Sequence, residues 1–393
     1  MHYDFETYVE RRGTGCLKWD AYEARGHTAD ELPLWVADMD FRVMPEAVET
    51  LQERVAHGVF GYTMPTEAYY DAGAGWYERH HGWRPVREWA VHAPGVVFAL
   101  ATAVRAYTQP GDYVVIQPPV YYPFRLMIEN NGRRVAANPL VRGEDGRYQM
   151  DFEGFERVLD QTGAKLFILC SPHNPVGREW TADELRRIGQ ICLAHGVTVV
   201  SDEIHADFSR PGFTHVPFAT LGEDFAQNVV LCTSPSKTFN LAGLQICNVF
   251  IPNKDLRAAF ARELGRTGYD EPSCLGACAA QACFEHGDEW FSQLKAKLEE
   301  NYALVEGMVA RTPGLALTPL ESTYLPWGDC SGLGLASDDE LARFVTRDAK
   351  LWLDMGTMFG REGSGFIRLN IASLTPMVRE ACDRLEAAVA RLG

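Results

Sequence analysis

The 393-residue chain has no apolar run approaching the roughly 20 residues that a membrane-spanning helix requires. It has no positive excess either. Its 37 Lys and Arg are outnumbered by 53 Asp and Glu, and the formal net charge of −16 argues against non-specific attachment to nucleic acid or to an anionic membrane. Ten cysteines are present but no Cys-x-x-Cys pair. The tightest group, Cys274, Cys278 and Cys283, falls in an Ala-rich helical pattern with no histidine at ligand spacing, which favours helix packing over a metal site. The opening residues, Met-His-Tyr-Asp-Phe-Glu, are not those of a secretory leader, so the thiols are expected to be reduced and the protein cytoplasmic. Internal repeats and low-complexity tracts are also missing.

What is present is an ordinary globular composition, 46% hydrophobic and 23% charged, in a chain long enough for a large unit and a smaller one. Short apolar runs suited to buried strands alternate with helical patterns, which predicts an α/β fold with a mostly parallel sheet. Three of these runs end in polar loops. Ala164–Cys170 leads to Ser171-Pro-His-Asn174, Val197–Ser201 to Asp202-Glu-Ile-His205, and Asn228–Thr233 to Ser234-Pro-Ser-Lys237. Asn174, Asp202 and Lys237 are 28 and 35 residues apart, about one βα unit each. Successive parallel strands would therefore bring an amide, a carboxylate and an amine to one rim, where open α/β sheets bind ligands. A lysine there can form a Schiff base with a carbonyl cofactor. Taken singly, each has a plainer reading: a turn asparagine, a helix-capping acid, a solvated lysine.

Two other motifs fail on this stretch. A P-loop needs a glycine immediately before its lysine, where Ser236 stands, and Ser-x-x-Lys acyl-transfer enzymes need a Lys-Thr-Gly partner, whereas Lys237-Thr238 is followed by Phe239. Elsewhere, Pro94-Gly95 turns into Val96 and Val97 at a helix start, an anion site of the kind every βα unit offers. Tyr121 lies in the rigid loop Pro118–Pro123, and Tyr62 in a glycine-bounded loop. Asp38 and Asp40 alternate with apolar residues, as on an extended edge with both acids in water. From about Asp255 to Arg311 the pattern is continuously helical. Gly365–Ile371 reads as a strand carrying Phe366, Arg368 and Asn370 on one face.

Asn174, Asp202, Lys237 and Arg368, in this order and spacing, resemble the signature of fold-type-I pyridoxal-phosphate enzymes, the aspartate-aminotransferase superfamily. Trp35–Phe41, Val59–Tyr62, Ser201–His205, Pro235–Asn240 and Ser322–Trp327 resemble the MalY/PatB cystathionine β-lyase group. The resemblance implies a large cofactor domain (46–288) and a small α+β domain built from an N-terminal arm (1–45) and residues 289–393. Lys237 would hold pyridoxal 5′-phosphate, Asp202 would pair with its ring nitrogen, Asn174 and His205 would lie beside the ring, and Tyr121 would stack on it. The backbone at Val96 and Val97 and the hydroxyls of Ser234 and Ser236 would hold the phosphate. Tyr62 would reach that phosphate from a second subunit, implying a homodimer with shared sites. Arg368 would clamp the substrate carboxylate, with Asn174, Tyr324 and Asp38 also near the substrate. Gln245 departs from the arginine that many aminotransferases place near this position. The implied reaction is α,β-elimination of cystathionine or another cysteine S-conjugate, with a place in methionine biosynthesis. At this point an aminotransferase, or a transcription-factor-binding regulator with residual lyase activity, stands open beside it.

Overall fold

A computed structural model describes residues 2–392. Its centre is a seven-stranded sheet. In chain order the strands are β1 (Ala90–Ala93), β2 (Tyr113–Ile116), β3 (Arg134–Ala137), β4 (Leu166–Cys170), β5 (Thr198–Asp202), β6 (Val229–Thr233) and β7 (Cys247–Phe250). In space they run β1-β7-β6-β5-β4-β2-β3, parallel except for β7, which is antiparallel to both its neighbours. The sheet is therefore the mostly parallel one expected. Its reversed strand was not foreseen, and it has a consequence: the residues just before β7 lie on the same rim as the ends of the others.

The central strands are mostly apolar because both faces are covered. Leu166, Ile168, Cys170, Val200, Val230 and Cys232 belong to one core, which includes residues of α3 (Val96–Tyr107) and α5 (Lys254–Gly265). The alternate residues Phe167, Leu169, Val199, Val229 and Leu231 belong to the larger core on the other face. Each such side chain contributes about 1.5–3 kcal/mol on burial.

The helices start where the sequence signals say. Pro45 opens α1 (Pro45–His57), and Thr66 caps α2 (Glu67–His81). Thr181 and Glu184 make both bonds of a capping box on α4 (Ala182–His195). The long helical stretch is in fact three helices: α5, α6 (Cys274–His286) and α7 (Asp288–Arg311). Gly268, at φ +78°, and Pro272 fall in the first break. The second break lies at Gly287, where a Cβ would stand 2.4 Å from the Phe239 ring.

Beyond α7 a four-stranded sheet runs β8-β9-β11-β10, formed by β8 (Ala316–Leu317), β9 (Trp327–Asp329), β10 (Asp354–Met355) and β11 (Phe366–Arg368), with α8 (Thr375–Val389) closing the chain. The N-terminal arm joins this end of the molecule, Leu32–Pro33 pairing in parallel with Leu351–Trp352. Asp38 and Asp40 correct the expectation of acids in water. Asp40 is buried, taking hydrogen bonds from Lys18, Trp19 and Arg11 at 2.7, 3.2 and 2.7 Å, and Arg11 also holds both oxygens of Asp38. Burial alone would raise the Asp40 pKa. Lys18 and Arg11 outweigh it and hold the carboxyl below the usual range.

Candidate active site

The register of β4, β5 and β6 aligns Cys170 with Asp202 and Asp202 with Cys232. The three strands thus end level, and the loops they feed meet around a cavity of about 200 Å³. Asn174, Asp202, His205, Ser234, Ser236 and Lys237 line it, with Tyr121, Val96 and Val97 from the β2 and β1 ends and Gln245 from the start of β7. Most of the residues singled out in the sequence are therefore brought together.

Asp202 ends β5 and is 4% exposed. Its Oδ1 accepts the Ile204 N–H at 3.2 Å, and Oδ2 has no hydrogen-bond partner among the described residues. Burial pushes its pKa up to about 7, against the Ile204 bond and the charge of Lys237. Lys237 Nζ donates to the Ala37 carbonyl at 2.7 Å. Burial draws the amine down to about 8, with Asp38 opposing and Arg368 assisting. His205 is buried with Nδ1 unpartnered, and burial, then Lys237 and Arg368, keep it neutral.

Arg368 NH1 donates to Asn174 Oδ1 at 2.8 Å. Arginine only donates, so this bond fixes the amide with its NH₂ group free for the cavity. Tyr121 N–H donates to the Asn174 carbonyl at 3.0 Å, tying the two loops together. On the opposite side, α3 begins at Val96, and the first N–H groups of a helix have no intrahelical partner. The Ser234 hydroxyl donates to the Ile246 carbonyl at 2.7 Å and lies 2.9 Å from the Ser236 hydroxyl.

These features fit pyridoxal 5′-phosphate. A helix start and hydroxyls suit a phosphate, an acid with one unmatched oxygen suits a basic ring nitrogen, an amide donor suits a ring oxygen, and an amine with a lowered pKa suits an aldehyde.

Four expected site residues, Arg368, Asp38, Tyr324 and Tyr62, are not part of this cavity lining. Asp38 turns its carboxylate to Arg11, and its neighbour Ala37 lines the cavity instead. Tyr324 is buried, its hydroxyl donating at 3.0 Å to the same Ala37 carbonyl that Lys237 uses, its ring 5.9 Å from that of His205. Tyr62 is 96% exposed and outside the cavity lining of its own chain.

Residues 36–41 are held from several sides. The Asn240 amide bonds Met39 N–H, Met39 C=O and Phe41 C=O, each at 3.0 Å, and Asn370 donates to the carbonyls of Val36 and Asp38 at 2.5 and 2.6 Å. Two participants escaped sequence reasoning. The Ala37 acceptor is a backbone atom and leaves no side-chain signal. Asp354, the acidic partner of Arg368, interrupts the apolar run Leu351-Trp-Leu-Asp-Met355, and a lone acid in such a run is the signal that could have found it.

Residues 29–385 match the family model of aminotransferase class I and II. The chain is 44% identical over 388 residues to the cystathionine β-lyase PatB of Bacillus subtilis (strain 168), covering 98% of this chain and 100% of that one. It is 36% identical to protein MalY of Escherichia coli (strain K12), covering 94% of each. Among solved structures, cystalysin from Treponema denticola, which contains a pyridoxal 5′-phosphate cofactor, superposes with a TM-score of 0.96 at 35% identity, covering 100% of both chains. The sheet, its rim and these matches agree: the chain belongs to the aminotransferase class I and II family and, within it, to the cystathionine β-lyases of the PatB and MalY type.

Proposed function

We propose that this protein is a pyridoxal-phosphate-dependent carbon–sulfur β-lyase that cleaves L-cystathionine or a related cysteine S-conjugate to a thiol, pyruvate and ammonia. The observation that carries the proposal is the pairing, in one cavity, of an amine drawn down to about 8 with a carboxyl pushed up to about 7 and left with an unmatched oxygen. The names of the PatB and cystalysin relatives support the lyase reading over transamination.

When bound, the cofactor supplies an electron sink for negative charge at the substrate Cα. The remaining work falls to the chain. Lys237 takes the Cα proton, which requires a neutral amine; burial makes that form accessible near neutral pH. Asp202 would accept a hydrogen bond from the cofactor's protonated ring nitrogen, whose charge would favour the ionised carboxyl. The Asn174 amide donates to a ring oxygen, its orientation set by Arg368. Val96 and Val97 N–H with Ser234 and Ser236 would hold the phosphate, Tyr121 would cover the ring, and neutral His205 lines the same cavity as Asp202. With Gln245 in place of a cation, this anion site depends on backbone and hydroxyl donors. Arg368 binds the substrate α-carboxylate, and Tyr324 steadies the Ala37 carbonyl beside the lysine.

The same reading makes the protein a homodimer with shared sites. Its support is a run of exposed apolar side chains, Val55, Val59, Phe60, Tyr62 and Met64, on and after α1. Division into a large domain (46–288) and a small one (1–45 with 289–393) is supported by the two separate sheets and by the pairing of Leu32–Pro33 with Leu351–Trp352. Ten unpaired cysteines favour a cytoplasmic setting. No described helix is long and apolar enough to cross a membrane.

The test is to mix purified protein with L-cystathionine and no 2-oxo acid. Stoichiometric pyruvate and homocysteine are expected. Strict dependence on a 2-oxo acid acceptor would make the protein an aminotransferase instead.

A further inference from the structure

The arginine assigned to the substrate carboxylate already has a carboxylate. Arg368 on β11 stands directly opposite Asp354 on β10, and each is 3% exposed. One terminal guanidinium nitrogen donates to Asp354 Oδ2 and, at 3.0 Å, to the Trp35 carbonyl. The other donates to Asn174 at 2.8 Å, and the Phe359 ring covers the guanidinium face at 4.7 Å. Three of the five N–H donors of an arginine are thus bound by protein, and Nε has no partner. Asp354 is the only acidic group paired with Arg368 among the described residues.

A guanidinium buried this deeply needs a counter-ion while no substrate is bound. Once an α-carboxylate arrives, two carboxylates share one cation, and their mutual repulsion opposes binding. We propose that Asp354 is a positioning residue that holds Arg368 as its internal counter-ion and competes with the substrate α-carboxylate for it, so that this residue tunes affinity for the amino-acid substrate. The proposal rests on the reading of Arg368 as the carboxylate-binding group.

The competition depends on pH. The charged and titratable groups acting on Asp354 are Arg368 across the strand pair, Arg25 from the N-terminal segment and the Tyr121 phenol on the cavity side. Burial already holds Asp354 above the usual carboxylate range against the pull of both arginines. A second carboxylate raises its proton affinity further, so substrate binds best when Asp354 is protonated and less well as pH rises.

Asp354→Asn tests this in the holoenzyme, because it keeps an oxygen for the arginine and removes the charge. KM for a cysteine S-conjugate is expected to fall roughly tenfold, as relief of like-charge repulsion in a partly screened site allows, with the change carried by KM rather than kcat. Propionate, which has a carboxylate but no amino group, should inhibit wild type less well as pH rises from mildly acid to mildly alkaline, and this slope should flatten in Asp354→Asn. Arg368→Ala is the control, expected to raise KM at least about thirtyfold. A raised KM in the control with an unchanged or higher KM in Asp354→Asn would overturn the role of Asp354 alone. An unchanged KM in the control would overturn the Arg368 reading itself. If Asp354→Asn does not fold, Asp354→Ser removes the same charge and keeps an oxygen for the arginine, and a KM no lower than that of wild type would overturn the proposal.

Discussion

Asp202 and Glu203 are neighbours in sequence and almost equally buried, 4% and 3% exposed, yet they belong to two different kinds of interior. Asp202 faces the cavity with one hydrogen bond and is pushed up to about 7. Glu203 faces away and is saturated: it accepts from Ser201 at 2.8 Å, from Phe218 N–H at 3.0 Å and from His215 at 2.9 Å. His215 is completed by Glu179 at 3.0 Å. Burial opposes its charge, but Glu203 and Glu179 win and raise it to about 10. Nearby, Asp207 takes bonds from His81, Trp76 and Thr238, the residue after Lys237, and is held down to about 2. Depth is the same in both regions. What differs is whether each polar atom has a partner within the chain, and the region left wanting is the one arranged to receive a ligand.

Mutations can break the contrast from either side. The largest effect is expected at Lys237→Ala, with turnover down by about 10⁴-fold or more and the visible absorption of the lysine–cofactor bond gone. A yellow, active variant would remove Lys237 from its role. On the saturated side, His215→Ala leaves two glutamates facing each other and should cost about 3–5 kcal/mol of stability, read by chemical denaturation. The pH dependence sharpens this. Unfolded histidine titrates near 6.5 and folded His215 near 10. Its contribution is therefore fully present below about 6.5, declines between the two values, and is lost above the second. Wild-type stability that stays flat across that window would contradict the charged state assigned to His215. The smallest effect is expected at Tyr62→Phe, which on the proposed shared-site reading would delete one hydrogen bond to a neighbour's phosphate. Cofactor affinity of the dimer should fall by about 1 kcal/mol, and no change in cofactor release would argue against a shared site.

The level ends of β4, β5 and β6 were legible because each strand is a largely apolar run stopped by a chemically distinctive loop, and the spacing of Asn174, Asp202 and Lys237 carried the parallel order. The reversal of β7 was not legible. Its apolar residues fit a buried strand of either direction, and only pairing with both β1 and β6 decides it. The acids of the N-terminal arm misled for a related reason. Alternation marks a half-exposed edge unless cations from elsewhere close over it, and Arg11 and Lys18 lie 27 and 22 residues before their closest acidic partners. Asp354 lies on a two-residue strand, too short for any periodicity to mark.

The grip on residues 36–41 ties the reactive amine to the geometry of the whole chain. Asn240 reaches that segment from just past Lys237, whereas Asn370 reaches it from just past β11. Both bond the backbone that flanks the Ala37 oxygen offered to Lys237. A slide of the four-stranded sheet relative to the seven-stranded one would therefore be felt at the resting place of the lysine.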